Sequence, residues 1–351
     1  MAGLTGRTIM VRLRTLVSAF VLCLPATAGF SQVRTGPVLV HWGMCEASGA
    51  VPVPAGSFGD RFLVVNDEDN TLRLYRAEET GAPLALAGAD LDPVFAPKPG
   101  GKVKKADLEG AAWLGGDVVV IGSHSRDKDG EAEESRRQLL AVTLTGAPDA
   151  PVLKRRGASF RGLAKALSDL DPQLAARIAL DADSKPDLAP KRRGLAVEGL
   201  APTADGQGLL IGLRNPLNAD NDALVVPLQN PAEVLASGAA PKLGKPIALD
   251  LKGRGIRDIA YAPGAKAYFI IAGGAGSGGE AFDLYRWSGE PGAAPARVPG
   301  AAQALAGIPD FQPEALLVAP DGSRVRLLSD DGASCPDKAP KSFRSVLLDL
   351  K

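Results

Sequence analysis

One pattern limits the architectures open to this chain: it repeats itself five times at uneven intervals. "EASGAVPVPAGSFGDRFLVVND" begins at Glu46, "EGAAWLGGDVVVIGSH" at Glu109 and "EGLAPTADGQGLLIGLRN" at Glu198. "DIAYAPGAKAYFIIAGG" follows at Asp258 and "EALLVAPDGSRVRLLSDDG" at Glu314. Each unit has an acidic residue, a run of small or apolar residues, a turn and a β-rich run. A third strand follows in each: "TLRLY" (71–75), "QLLAVTL" (138–144), "ALVVPL" (223–228), "FDLYRW" (282–287) and "FRSVLLDL" (343–350). A fourth, weaker strand such as "KPIALDL" (245–251) completes most units. Short antiparallel strands in four-membered repeats are the signature of a β-propeller, an all-β fold.

The acidic starts are 63, 89, 60 and 56 residues apart. Five blades is the first reading, and six the alternative if the longest interval hides a degenerate blade. That interval contains "RGLAKALSDLDPQLAARIALDAD" (161–183), where Leu163, Leu167, Leu170 and Leu174 recur at helical spacing and predict a helical insertion. The last unit stops at its third strand, and "PVLVHWG" (37–43) is a strand without a unit of its own. Used as the outer strand of the last blade, it closes the ring and removes an exposed edge.

In an up-and-down blade the first strand starts, and the second ends, on the same face. Glu46, Glu109, Glu198, Asp258 and Glu314 are therefore expected around one mouth of the central channel. The second-strand ends return to that rim with Asn66 and Asp67, His124 and Arg126, Arg214 and Asn215, and Ser329 and Asp330. Carboxylates gathered in this way repel one another unless something compensates them. One solution is structural: Arg126, Arg214 or Arg257 pair with them, and the acids bond backbone amides of the neighbouring blade. The other is a hard cation such as Ca²⁺ held by Glu46, Glu109, Glu198 and Glu314, since such ions prefer oxygen ligands. A ligand reaching that mouth would meet Arg126, Arg214, Asn215, Asp258 and Asp330. His124, one of two histidines, joins Glu109 as a candidate acid–base group, with a structural hydrogen-bonding role as the competing reading. Neither a Gly-x-Ser-x-Gly elbow nor a second nearby histidine supports it. His41, in the closing strand, reads as structural.

Arg7, Arg12 and Arg14, the short apolar core "TLVSAFVLCL" and Ala26-Thr27-Ala28 read together as a cleaved signal peptide over residues 1–28. One propeller domain then spans 29–351, without a membrane span. Cleavage removes three of the 40 positive residues and none of the 40 negative ones, leaving a charge near −3. No basic patch for nucleic acid is expected on such a chain. The expected location is the periplasm or outside the cell. There Cys45, just before the first strand of the first blade, and Cys335, after the second strand of the last, emerge on the same face and are expected to form a disulfide. "GAGSGG" (274–279) has dinucleotide spacing but leads into a strand, so it reads as a hairpin loop. "KRRG" (191–194) is too short for a nucleic-acid patch.

"CEASGAVPV", "NDEDNTLRLY", "DLEGAAW…IGSHSRDKDGE", "EGLAPTADGQGLLIGLRNPL", "GIRDIAYAP", "YFIIAGG", "LYRW" and "FQPEALLV" resemble a bacterial family of exported proteins known only as a domain of unknown function, of the DUF3616 type. The resemblance runs from about Val38 to the C-terminus and implies a propeller-like fold. More distantly, the acidic-Gly starts at Glu109 and Glu198 are similar to those of gluconolactonase-like and esterase-like phytase propellers. That similarity implies a divalent cation at the channel mouth. The reading that follows is an exported propeller binding a small ligand, glycan or protein at an acidic mouth, with or without calcium. The alternative is a metal-assisted hydrolase of phosphate esters or lactones, and whether the chain is an enzyme stays open at this point.

Overall fold

The innermost strands of five antiparallel sheets surround a central channel. The computed structural model describes residues 1–3, 6, 33–95, 103–190, 193–276, 281–335 and 340–351. Nearly all of the expected signal peptide (1–28), residues 277–279 of the glycine-rich loop and residues 191–192 of "KRRG" lie outside the described residues. Residues Ser31–Lys351 form one compact unit.

Blade 1 has β3 (Ala47–Val53), β4 (Arg61–Asn66) and β5 (Arg73–Arg76). Blade 2 has β6 (Leu108–Leu114), β7 (Asp117–Gly122), β8 (Leu139–Ala147) and β9 (Ala150–Phe160). In blade 3 these are β10 (Ala196–Pro202), β11 (Leu209–Asn215), β12 (Ala223–Leu228) and β13 (Ile247–Leu249). In blade 4 they are β14 (Arg254–Ala262), β15 (Ala267–Gly274), β16 (Asp283–Trp287) and β17 (Ala296–Arg297). Blade 5 contains β18 (Pro313–Val318), β19 (Arg324–Ser329) and β20 (Ser342–Asp349). Its outer edge is completed by β1 (Arg34–Thr35) and β2 (Leu39–Trp42), which both pair with β20. The blade number is five, and the amino-terminal segment closes the last blade.

The core consists of five apolar layers, one between each pair of neighbouring blades. Second strands are covered on both faces, which explains why they read as unbroken apolar runs such as "DVVVIG" and "LLIGLRN" rather than alternating ones. The long interval holds two helices, Leu163–Leu170 and Pro172–Ile178, instead of a sixth blade. Leu163, Leu167, Leu174 and Ile178 add to the layer between blades 2 and 3. Asp171 separates the two helices and caps the second, its carboxylate accepting from the Gln173 and Leu174 amides at 2.7 and 3.1 Å.

Every innermost strand carries a β-bulge near its start. The register shifts lie between Ala47 and Gly49, Leu108 and Gly110, Val197 and Gly199, Ile256 and Asp258, and Pro313 and Ala315. The residues inside them are Ser48, Glu109, Glu198, Arg257 and Glu314. A bulge leaves its extra residue outside the ladder and re-aims its side chain. Gly49 beside the first bulge permits close approach of blade 2, because a Cβ there would stand 2.9 Å from the Glu109 carbonyl oxygen and the Gly110 Cα.

Candidate functional site

The mouth divides into a side where arginines match the acids and a side where the acids are in excess. On the compensated side Arg214 Nη1 lies 3.0 Å from Glu198 Oε1, and Arg257 Nε lies 3.1 Å from Glu198 Oε2. Arg257 also pairs with Glu314. The guanidinium on blade 4 thereby joins the acids of blades 3 and 5. These side chains are largely withdrawn from water, at 7% exposure for Glu198 and 10% for each arginine. Asp258, one residue further on, accepts from its own chain at the Ile259 amide (2.8 Å) and from blade 5 at the Leu316 amide (2.8 Å).

On the other side three carboxylates converge. One oxygen each from Asp67, Asp107 and Glu109 lie within 4.8 Å of one another. Asp67 arrives from the turn after β4, Glu109 from the bulge of β6, and Asp107 from the residue just before β6. Asp107 has φ 54°, a left-handed conformation that aspartate tolerates better than most residues. It is held there by the Ser123 hydroxyl, which donates to Oδ2 at 2.6 Å, and by Arg136 Nη1 at 3.1 Å from the same oxygen. Oδ1 of Asp67 is buried and has no hydrogen-bond partner among the described residues.

The electrostatics follow from this crowding. Burial pushes the Asp67 carboxyl up to about 9, helped by its hydrogen bond to Glu46 and by repulsion from Glu46 and Asp107. Burial also raises Glu109 well above the ordinary carboxylate range, and the charges of Asp107, Glu198 and Asp67 add to the shift. An oxygen-only donor set of this spacing fits a hard cation, whose ligand distances are about 2.3–2.6 Å for Ca²⁺.

The remaining residues singled out in the sequence have other surroundings. Glu46 sits at the rim of the cluster, bonded to Asp67 and bridged to Asp330 through the backbone. The Asp330 carboxylate accepts from the Gly332 amide at 2.7 Å. Arg126 turns away from the channel and donates to backbone carbonyls of Gly130, Ala179, Ala182 and Asp183. It thereby ties the end of the helical insertion to blade 2. Asn215 donates to the carbonyls of Pro190 (2.8 Å) and Ala275.

His124 is 4% exposed and has φ 53°. Neither ring nitrogen makes a well-formed hydrogen bond. Burial, with Arg137 adding to it, pushes the imidazole down to about 3, against a weak opposite pull from the Gln138 backbone. Asp107, two positions before the acidic-Gly start, is the site residue that repeat alignment passes over. Arg257 pairs with the acids as expected, and it also holds the bulge position where the alignment puts Asp258.

Comparison with known proteins gives the fold a context. The model of a family described as "Protein of unknown function (DUF3616)" matches residues 55–310. No curated protein matches the chain. Among solved structures it is similar to the glutaminyl cyclase of Myxococcus xanthus, at 15% identity over 90% of this chain and 96% of that one, with a TM-score of 0.42. It is similar to a luciferin-regenerating enzyme at 10% identity, covering 89% and 95% of the two chains with a TM-score of 0.39. A third likeness is to regucalcin, a calcium-binding protein of Agrobacterium tumefaciens, at 12% identity over 87% and 93% with a TM-score of 0.35. No residue role is carried over from these three.

Proposed function

We propose a function for a chain that belongs to the DUF3616 family of proteins of unknown function: an exported binding propeller that holds a divalent cation at its acidic mouth and presents it to a ligand. The observation that carries this reading is the convergence of Asp67, Asp107 and Glu109 within 4.8 Å, with a buried Asp67 oxygen left without a donor. Two arginines serve Glu198 and Glu314, whereas Arg136 reaches only Asp107 among the three converging acids, so the cation is assigned to the side of the ring where carboxylates are in excess. When bound, the cation would supply charge and open coordination positions. The chain's own part is to fix the carboxylates: Ser123 and Arg136 orient Asp107, Glu46 holds Asp67, and the bulge aims Glu109.

Binding is favoured over hydrolysis for a physical reason. Both acid–base candidates are engaged elsewhere: His124 is enclosed near Arg137 and Gln138 with its basicity suppressed, and Glu109 is one of the carboxylates assigned to the cation. Export is supported by the disulfide, which persists in oxidising compartments. Among the described residues no helix is long and apolar enough to cross a membrane.

The test is calorimetric titration of the EDTA-treated, purified protein with CaCl₂, followed by thermal denaturation. One site per chain is expected. At a free cation concentration one hundred times Kd the fold should gain about 2.7 kcal/mol. Glu109→Gln or Asp67→Asn should weaken binding at least tenfold. Absence of both heat and stabilisation with Ca²⁺, Mg²⁺ and Mn²⁺ would overturn the assignment.

A further inference from the structure

The channel has a second mouth, and its chemistry is the reverse of the first. Where the innermost strands finish, side chains from all five blades enclose a well of about 160 Å³. Among the described residues no charged side chain lines it. Two of its three polar side chains are committed within the chain: the Trp113 indole donates to the Pro52 carbonyl at 2.7 Å, and the Ser57 hydroxyl to the Pro54 carbonyl at 2.7 Å. The Pro202 carbonyl accepts from the Tyr268 hydroxyl at 3.0 Å. Each innermost strand pairs within its blade along one edge only, so the apolar character of the well comes from its side chains.

Three properties of the well define what fits it. Trp113 and Tyr261 supply aromatic surfaces, and Tyr261 is held by ring contact with Tyr268 at 4.7 Å between centroids. Alanines at positions 50, 111 and 260 leave the space that larger side chains would fill. Volume sets the limit: about 150 Å³ of apolar space is enough to take up a benzene-sized molecule. A charged group entering the well would lose its water without meeting an opposite charge. An apolar ring loses nothing comparable and gains face or edge contacts with the aromatic walls.

We infer that the apolar mouth is a binding site for a small uncharged molecule whose inserted part is a single aromatic ring. It is separate from the acidic mouth, at the opposite ends of the same five strands, and does not depend on the cation reading.

Toluene is the probe. Titration of the full protein, followed by ¹H NMR, should show saturable binding with intermolecular NOEs from toluene to the Trp113 indole and Tyr261 ring protons. Ala260→Phe places a ring in the well and should weaken toluene binding at least tenfold, while Glu109→Gln at the acidic mouth should leave it unchanged. Failure of the unaltered protein to bind toluene saturably would overturn the inference. So would binding that survives in a folded Ala260→Phe protein, as judged by circular dichroism. If that variant does not fold, the NOEs decide alone: contacts to Trp113 and Tyr261 support the site, and their absence at saturating toluene rejects it.

Discussion

Glu109 and Glu198 occupy equivalent bulges on neighbouring blades, and both begin an acidic-Gly pair. Their partners differ. Glu198 holds two buried arginines, so Glu198→Gln leaves Arg214 without its carboxylate and Arg257 with Glu314 alone. Breaking a buried pair from one side costs about 3–5 kcal/mol, because the surviving charge stays desolvated. A loss of about 3 kcal/mol is expected from urea denaturation, with cation affinity changed much less than by substitution at Glu109. Glu109→Gln should do the opposite. Removing a carboxyl crowded by Asp67 and Asp107 relieves repulsion, so the denaturation midpoint should hold or rise while calcium binding is lost. Equal stability losses in the two variants would mean that the ring is structural all round.

At the scale of single elements, the closing strand β2 is as informative as the mouth. Its His41 is fully buried between blades 5 and 1, stacked on Phe343 at 4.9 Å and edge-on to Phe62 and Tyr75 at 5.3 Å each. Nε2 lies 2.8 Å from the Ser345 hydroxyl, beside the Arg326 guanidinium, which pairs with the outer Glu78. Burial, and then Arg326, lower the imidazole to about 4. The folded chain therefore holds this ring neutral while the unfolded chain protonates it below about 6.5. Stability from His41 is fully present above pH 6.5 and is lost as pH falls towards 4, by about 3 kcal/mol in all. His124, pushed down to about 3 in the folded chain, likewise takes up its proton over this range only on unfolding. In His41→Phe, unfolding measured between pH 5 and 6.5 should be linked to one proton fewer than in the unaltered protein; an unchanged pH slope would contradict the role given to His41. The closing strand, the helical insertion and the blade number were all legible in the sequence, because each follows from strand count and apolar spacing. The bulges were not. Aligning the acids placed Glu46 and Asp258 with Glu109, Glu198 and Glu314, whereas the bulge positions of blades 1 and 4 are Ser48 and Arg257. A one-residue bulge changes which side chain faces the channel, and a linear pattern carries no mark of it. Asp107 escaped for a related reason, since its place at the mouth depends on a positive φ rather than on strand periodicity.

For the whole molecule the decisive question is how a ring assembled in sequence order stays shut. Blades 1 and 5 meet through an apolar layer, through the pairing of β2 with β20, and through the disulfide between Cys45 and Cys335. The two cysteines have Cα atoms 5.8 Å apart and are 290 residues apart in sequence. Around them the Asp331 amide donates to the Cys45 carbonyl at 2.9 Å, and Glu68 accepts from the Cys45 amide at 2.5 Å while pairing with Lys341. The seam is therefore hydrogen-bonded as well as cross-linked, and it lies beside the acidic mouth through Glu46. In the chain-entropy account, a cross-link that closes a loop of this length removes about 5–6 kcal/mol of unfolded-state freedom, an upper figure because measured effects often fall short. The double variant Cys45→Ser, Cys335→Ser should keep the folded circular dichroism spectrum, since β2 and the apolar layer still close the ring. Its guanidinium midpoint should fall by the equivalent of several kcal/mol. The denaturant slope should rise, because an unfolded chain freed of the cross-link exposes more surface. Equal midpoints for oxidised, reduced and substituted proteins would mean that strand closure alone holds the seam.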